Sequence, residues 1–539
     1  MITAKTFYRK WVYPLLRVCG LALVAASLGC EPKRAAQTPP PPPQPATVQH
    51  ARESENSRRQ DKSAAGNESS KASAQPAQSP SSGETASAAG HQISPQEAEE
   101  LFRSVDEILQ FASKDTDLPI RRPVKRRLTS RDEVVAYIEK HMREDEDAQR
   151  LRRSELVLKK FGLLPRDFDL QTFLVALLRE QVAGYYDPKT KTVNLLNWID
   201  PEQQKPVLAH ELTHALQDQS FGLEKWMKAG MTDLERTRQP TPADIENDEA
   251  SAARQAVVEG QAMAVLVDYM LAPTGQSLLN SPQMVEALKA GMLVGTADSI
   301  QFRNAPIYLK EALTFPYRYG IDFVAEVLTK RGKEQAFAGV FATPPRSTRQ
   351  IMEPETYLSS EHLEPMRLPN FEHDFNHYER FDIGAIGEFD VAVLIDQYEG
   401  TDVSKNLYPH WRGGYYYAAR PKGDASAPLA LLYVSRWSSA QRAAEFAAVY
   451  AQSLSKRYKR AHETGSDQTH NFSFETLTGE HAWLTEEGPV VIDVVGDTVL
   501  VTESLDQDTT QKLEHEVFAE VAETAKWSDP RVWQVIDWR

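Results

Sequence analysis

His210-Glu211-Leu212-Thr213-His214 brings two imidazoles and a carboxylate into five residues, a set able to hold a metal ion and move a proton beside it. From Val207 to Ser220 there is no Gly or Pro, so the surroundings read as helix. Side chains four apart on a helix stand one turn apart on one face, and both imidazoles can reach a single ion. Two His and a carboxylate favour zinc, one catalytic ion. Glu211 sits beside the first His and points at the open coordination position. There it can take a proton from the bound water and later pass it to a leaving amine. With 13 His in 539 residues, a chance His-Glu-x-x-His is expected in about one or two chains per hundred of this length.

A three-ligand site needs one more donor. Glu259 lies in an apolar helical stretch, on the face of Ala262, Met263, Leu266 and Met270. A Glu facing a core is costly unless it is paired or bound to a metal. A pairing with Arg or Lys is the bland alternative. Gly260 and Ala262 beside it let two helices approach closely. The rival ligands Glu246, Asp248 and Glu249 sit in a polar segment and read as solvated.

The His-Glu-Leu-Thr-His-Ala run, with Asp218 four residues after His214, resembles the thermolysin-type gluzincins. The Glu-Gly-x-Ala form at Glu259 is more similar to the peptidase MA-like bacterial proteins. The resemblance covers about 93–360 and implies a zinc metallopeptidase, a probable endopeptidase acting on peptide or protein. It gives His210, His214 and Glu259 the metal and Glu211 the base role. Thermolysin-type enzymes carry an Asp four residues after the ligand Glu, where this chain has Met263. Asp218, or a carbonyl, is then left to orient a zinc His. The resemblance also implies an edge strand before the metal helix that pairs with substrate, here within Tyr185 to Leu196 and near 192–196. Tyr317, Tyr319, Tyr357 and Arg346 are the candidates for stabilising the oxyanion. Leu313 to Gly320, and Pro344 to Tyr357 with its Pro-Pro-x-Ser-Thr-x-Gln segment, are expected to close the domain.

The elements around these residues follow from local pattern. Ser94-Pro95-Gln96-Glu97 is a capping box that starts a helix. Helical periodicity recurs near 131–144 and 169–182. Gly184 to Val193 reads as two short strands around Asp187-Pro188, and Pro206 opens the metal helix. Beyond 360, strands are expected at 414–420 and 428–434, a helix at 438–458, and a hairpin at 489–503 around Gly496-Asp497. The expected fold is α+β. A mainly helical zincin-like domain with a small edge-strand sheet spans 93–360, and a smaller α+β domain spans 361–539.

The N-terminus reads as an export signal over residues 1–29. Basic residues end at Arg17, and the apolar run Val18 to Leu28 is 11 residues, short of the roughly 18 a spanning helix needs. Ser27-Leu28-Gly29-Cys30 resembles a bacterial lipobox, with Cys30 as the lipidated residue. Cys19 lies within the signal, so the mature chain keeps one Cys and no internal disulfide. Residues 30–92 are rich in Pro, Ser and Ala and poor in large apolar side chains, which reads as a disordered tether. Net charge is −15, which disfavours nucleic acid as a partner. The composite expectation is a lipid-anchored peptidase of the bacterial cell envelope, at the outer membrane. The alternative is a catalytically silent binding or assembly factor on a peptidase fold. A third reading is a hydrolase of peptidoglycan stem peptides.

Overall fold

In a computed structural model, the structure describes residues 92–136, 145–180, 184–229, 239–296, 299–464 and 474–527. The signal, Cys30 and the tether lie outside these residues, as does the second half of the helix expected at 131–144. The fold is mixed α+β, with a three-stranded sheet and a seven-stranded antiparallel sheet.

Helix α1 (Pro95–Thr116) starts at the Ser94 box: Glu97 Oε2 accepts from the Ser94 amide at 2.8 Å, and Ser94 Oγ accepts from the Glu97 amide. Strand β1 (Lys125–Thr129) is short and mostly polar, without an apolar pattern to announce it. Helices α2 (Asp145–Lys160) and α3 (Leu170–Glu180) follow. Strands β2 (Tyr185–Asp187) and β3 (Thr192–Leu196) form the hairpin around Asp187. β1 adds parallel to the other side of β3, giving the order β1-β3-β2.

The metal helix α4 (Pro201–Phe221) begins before Pro206. Asp200 accepts the Glu202 amide at 2.8 Å and Pro201 fills the first helical position, so the cap sits one turn earlier than Pro206. Gly222, at φ +66°, closes its far end with an amide bond to the Asp218 carbonyl. Helix α5 (Pro242–Leu271) is long and apolar enough to cross a membrane, yet 78% of its apolar window is buried inside the protein, as in a core helix. Helix α6 (Ile307–Glu334) runs through Pro316 and contains the whole Leu313–Gly320 segment. The segment at 344–357 holds α7 (Thr348–Met352) and a further short helix, Pro354–Leu358.

A short turn of helix, α8 (Phe371–Asp374), leads into β4 (Tyr378–Ala385) and α9 (Glu388–Glu399). Then come β5 (Trp411–Pro421), β6 (Ala430–Trp437), α10 (Ala440–Arg457), β7 (Ala461–Glu463), β8 (Gly479–Thr485), β9 (Gly488–Val495), β10 (Thr498–Glu503) and α11 (Gln507–Trp527). The large sheet has the order β4-β5-β6-β10-β9-β8-β7. Described residues on both sides of 360 belong to one compact unit. The acids at the start of α5 tie its parts together. Asp248 accepts the Ala385 amide of β4 at 2.9 Å, and Glu249 accepts the Thr348 amide and hydroxyl at 2.8 and 2.6 Å. Glu246 pairs with Arg346 at 2.6 Å.

α5 and α6 meet at Gly260 and Gly320. A Cβ on Gly320 would lie 2.3 Å from the Ala256 carbonyl, and one on Gly260 would lie 2.2 Å from the Gly320 carbonyl. Neither backbone can yield without parting the helices, so only glycine allows this approach. Gly320→Ala is expected to cost about 1–3 kcal/mol by overpacking. A fall in denaturation midpoint measures this, and an unchanged midpoint contradicts the close approach.

Candidate metal centre

The helical repeat of α4 sorts its buried side chains into two stripes. His210, His214 and Gln217, at spacings of four and three, face α5. Glu211 and Asp218, seven apart, face β2.

On the first stripe three donor atoms converge. His210 Nε2 lies 3.0 Å from His214 Nε2, and Glu259 Oε2 lies 3.2 Å and 3.3 Å from these two nitrogens. Ligands held tetrahedrally at about 2.0–2.1 Å from one ion stand about 3.3 Å apart. All three side chains are fully buried. Burial pushes the Glu259 carboxyl up; protonated His214 and His210 would hold it below the usual carboxylate range, the same service a cation among the three would perform.

The tautomer of His214 follows from its neighbour. The Gln217 amide nitrogen donates to the Val258 carbonyl at 3.1 Å and to Gln261 Oε1 at 2.8 Å, leaving Gln217 Oε1 as an acceptor. It therefore accepts from His214 Nδ1–H at 2.9 Å. Neutral His214 then presents the Nε2 lone pair to the His210 nitrogen and the Glu259 oxygen. Glu259 Oε1, also buried, has no hydrogen-bond partner. Acceptors facing acceptors in a dry interior call for a cation, and this donor set fits a zinc ion. Gln261 continues the support, donating to the Ala336 carbonyl at 2.6 Å.

On the second stripe Tyr186 of β2 spans two turns of α4. Its amide donates to Glu211 Oε2 at 2.6 Å and its hydroxyl to Asp218 Oδ2 at 2.9 Å. Lys191 also reaches Asp218, at 2.6 Å. Asp218 thus anchors the β2–β3 hairpin, while Gln217 takes the place beside the imidazole that was expected for Asp218. The strand at 192–196 is central in its sheet, with β1 and β2 on its two sides, so it offers no edge. The strand beside Glu211 with an outer edge in this sheet is β2.

Tyr317, fully buried, places its ring 6.2 Å from that of His210 at 26°. Tyr319 is two residues on, about 200° around the helix, and packs on Phe315 instead. Tyr357 donates to the Thr343 carbonyl at 2.8 Å and its ring meets Phe323. Arg346 pairs with Glu246. Of these four, Tyr317 is the one in ring contact with a metal-site His. Glu246, Asp248 and Glu249, the rival ligands, hold the α5 contacts described above, and Glu249 is buried rather than solvated. A cavity of about 80 Å³, lined by Ile245, Leu363, Met366 and Trp411 together with charged side chains such as Glu249 and Arg349, shares no residue with the candidate metal centre. The convergent donors, not this cavity, define the candidate site.

Compared with known proteins, the chain matches no family model, no curated protein and no solved structure.

Sequence reasoning missed Gln217, Gln261 and Tyr186. Gln217 is three residues after His214, a spacing that would have flagged it. The contacts of Gln261 and Tyr186 depend on how α5 and β2 dock, which spacing does not disclose. Gln217→Leu is expected to weaken zinc binding about 10–100-fold, as loss of a partner to a metal-bound His does. Competition with a chelator of known affinity measures it, and an unchanged affinity contradicts the role given to Gln217.

Proposed function

We propose that this chain is a zinc-dependent metallopeptidase with a gluzincin-like, zincin-type helical core, in which His210, His214 and Glu259 hold the metal. The observation that carries the reading is the 3.0–3.3 Å triangle of Nε2, Nε2 and Oε2 atoms, with Glu211 on the adjoining face of the same helix. When bound, zinc would polarise a scissile carbonyl and lower the pKa of a water to about 7. Glu211 is the proton carrier: it accepts a proton as the nucleophile forms and returns it to the leaving amine. The Tyr186 amide holds one Glu211 oxygen and so fixes the direction of the carboxylate. Gln217 keeps His214 in the tautomer that leaves Nε2 for the metal. Tyr317 is the residue this reading gives to the carbonyl oxygen. β2 is the strand along which an extended peptide would pair. In the same reading, residues 1–29 are a lipoprotein signal and Cys30 anchors the body to the bacterial outer membrane by a tether over 30–92.

One observation favours a second reading. His210, His214 and Glu259 are 0% exposed and Glu211 is 1% exposed. A peptide reaches the metal only if a covering element moves. A protein in which none moves would be a zinc-stabilised binding or assembly factor.

Metal analysis and casein cleavage by the full chain separate these readings. The wild type is expected to bind zinc and cleave. Glu211→Gln should keep the zinc and lose turnover by about 10²–10⁴-fold, the usual contribution of a general base. A wild type that binds no zinc sinks both readings. A zinc-replete wild type inert toward a broad peptide library leaves the silent one.

A further inference from the structure

A second group of metal-ligating side chains lies away from α4. His373 and Asp374, at the end of α8, and Glu516, on α11, each bring one donor atom within 4.8 Å of the others. These residues line a solvent-open cavity of about 350 Å³, together with Asp508, Lys512 and His515. Donors held at about 2.1 Å from one ion stand about 3–4 Å apart, so small side-chain rotations close the set.

The cluster is built from below by packing. Phe371 and Phe375 on one side, and Leu513 and Val517 on the other, belong to one buried apolar cluster. Burying them brings α8 against α11 and leaves Asp374 and Glu516 at the rim. The contacts above this cluster are unbalanced. His373 Nδ1 meets Asp374 Oδ1 at 2.8 Å, and the Asn370 amide donates to Glu516 Oε2 at 2.8 Å. Asp374 is 1% exposed, yet its Oδ2 has no hydrogen-bond partner among the described residues. The Glu516 carboxyl brings an oxygen within 4.8 Å of an Asp374 oxygen, an acceptor facing an acceptor. Among the described residues no cation stands between them: His373 engages Oδ1, and Lys512 is exposed. A buried carboxylate in this state is costly until a cation or a proton bridges the pair.

We propose that His373, Asp374 and Glu516 bind a divalent first-row transition cation, which clasps the C-terminal helix to the turn that leads into the large sheet. One imidazole with two carboxylates suits zinc or a neighbouring metal better than magnesium or calcium, which take oxygen ligands. His515, exposed on the cavity wall, is available as a further ligand. The ion would secure α11 against β4 and its lead-in segment.

The test is zinc loading of the full chain by equilibrium dialysis, with metal counted by mass spectrometry. His373→Ala removes an exposed ring, and Glu516→Gln keeps an oxygen for the Asn370 amide, so neither opens the core. The wild type is expected to hold about one zinc equivalent more per chain than either variant. Zinc should also slow amide exchange across 371–375 and 507–518 in the wild type but not in Glu516→Gln. Equal zinc counts in the wild type and both variants overturn the proposal; a proton shared by Asp374 and Glu516 would give that result. Unchanged exchange on adding zinc overturns the clasp. All variants keep His210, His214 and Glu259, so failure here is read separately from failure of the α4 site.

Discussion

The Nε2 atoms of His210 and His214 and the Oε2 atom of Glu259 meet within 3.0–3.3 Å in an interior closed to water. Each is an electron-pair donor, and the Gln217 carboxamide removes the one local freedom His214 has, its choice of tautomer. Such a set is stable only with positive charge at its centre. That constraint reaches outward. Glu259 can be fully buried on an apolar helix because its charge has a destination. α5 runs as a largely buried core helix with several of its buried polar groups paired: Gln261 with Gln217 and the Ala336 carbonyl, Glu249 with Thr348.

Bringing α4 and α5 together this closely requires α6 to follow. Gly260 adjoins the ligand Glu259, and Gly320 lies one turn beyond Tyr317. Their backbone contact sets how far Tyr317 stands from the His210 ring. The adjoining face of α4 obeys a different rule. Glu211 and Asp218 take the amide and hydroxyl of Tyr186, so the short β2 strand is held against α4. The carboxylate beside the His210–His214 pair and the strand beside the carboxylate are thereby positioned by one residue.

The first two turns of α5 carry a second kind of chemistry. Glu246, Asp248 and Glu249 look alike in sequence and have ligand-type side chains, but all three are joints. They grip Arg346, the β4 amide at Ala385 and the start of α7. Buried Arg349 adds to the same joint, meeting Glu388 at 2.9 Å and Glu361 at 3.0 Å. The large sheet and the helices that carry the candidate metal site are therefore parts of one unit. The composition shift near 360 marks a change of secondary structure from helix-rich to sheet-rich.

The sequence by itself determined what is local. His210, Glu211 and His214 share a helix because the 3.6-residue repeat puts them there. The Ser94 box, the hairpin at 489–503 and the strands near 414–420 and 428–434 follow from caps, turns and alternation, which act over a few residues. Glu259 was legible for a similar reason, as a charge on an otherwise apolar face. Tertiary structure alone decided the rest. Lys125–Thr129 becomes a strand because β3 has an open side, not because its own polar residues ask for it. Tyr317 rather than Tyr319 meets His210 because only one side of α6 faces α4. Gln217 displaces Asp218 beside His214 because the docking of α5 and β2 chooses which stripe of α4 each one sees. These outcomes depend on which surfaces meet across long stretches of chain, and spacing along the sequence holds no record of that.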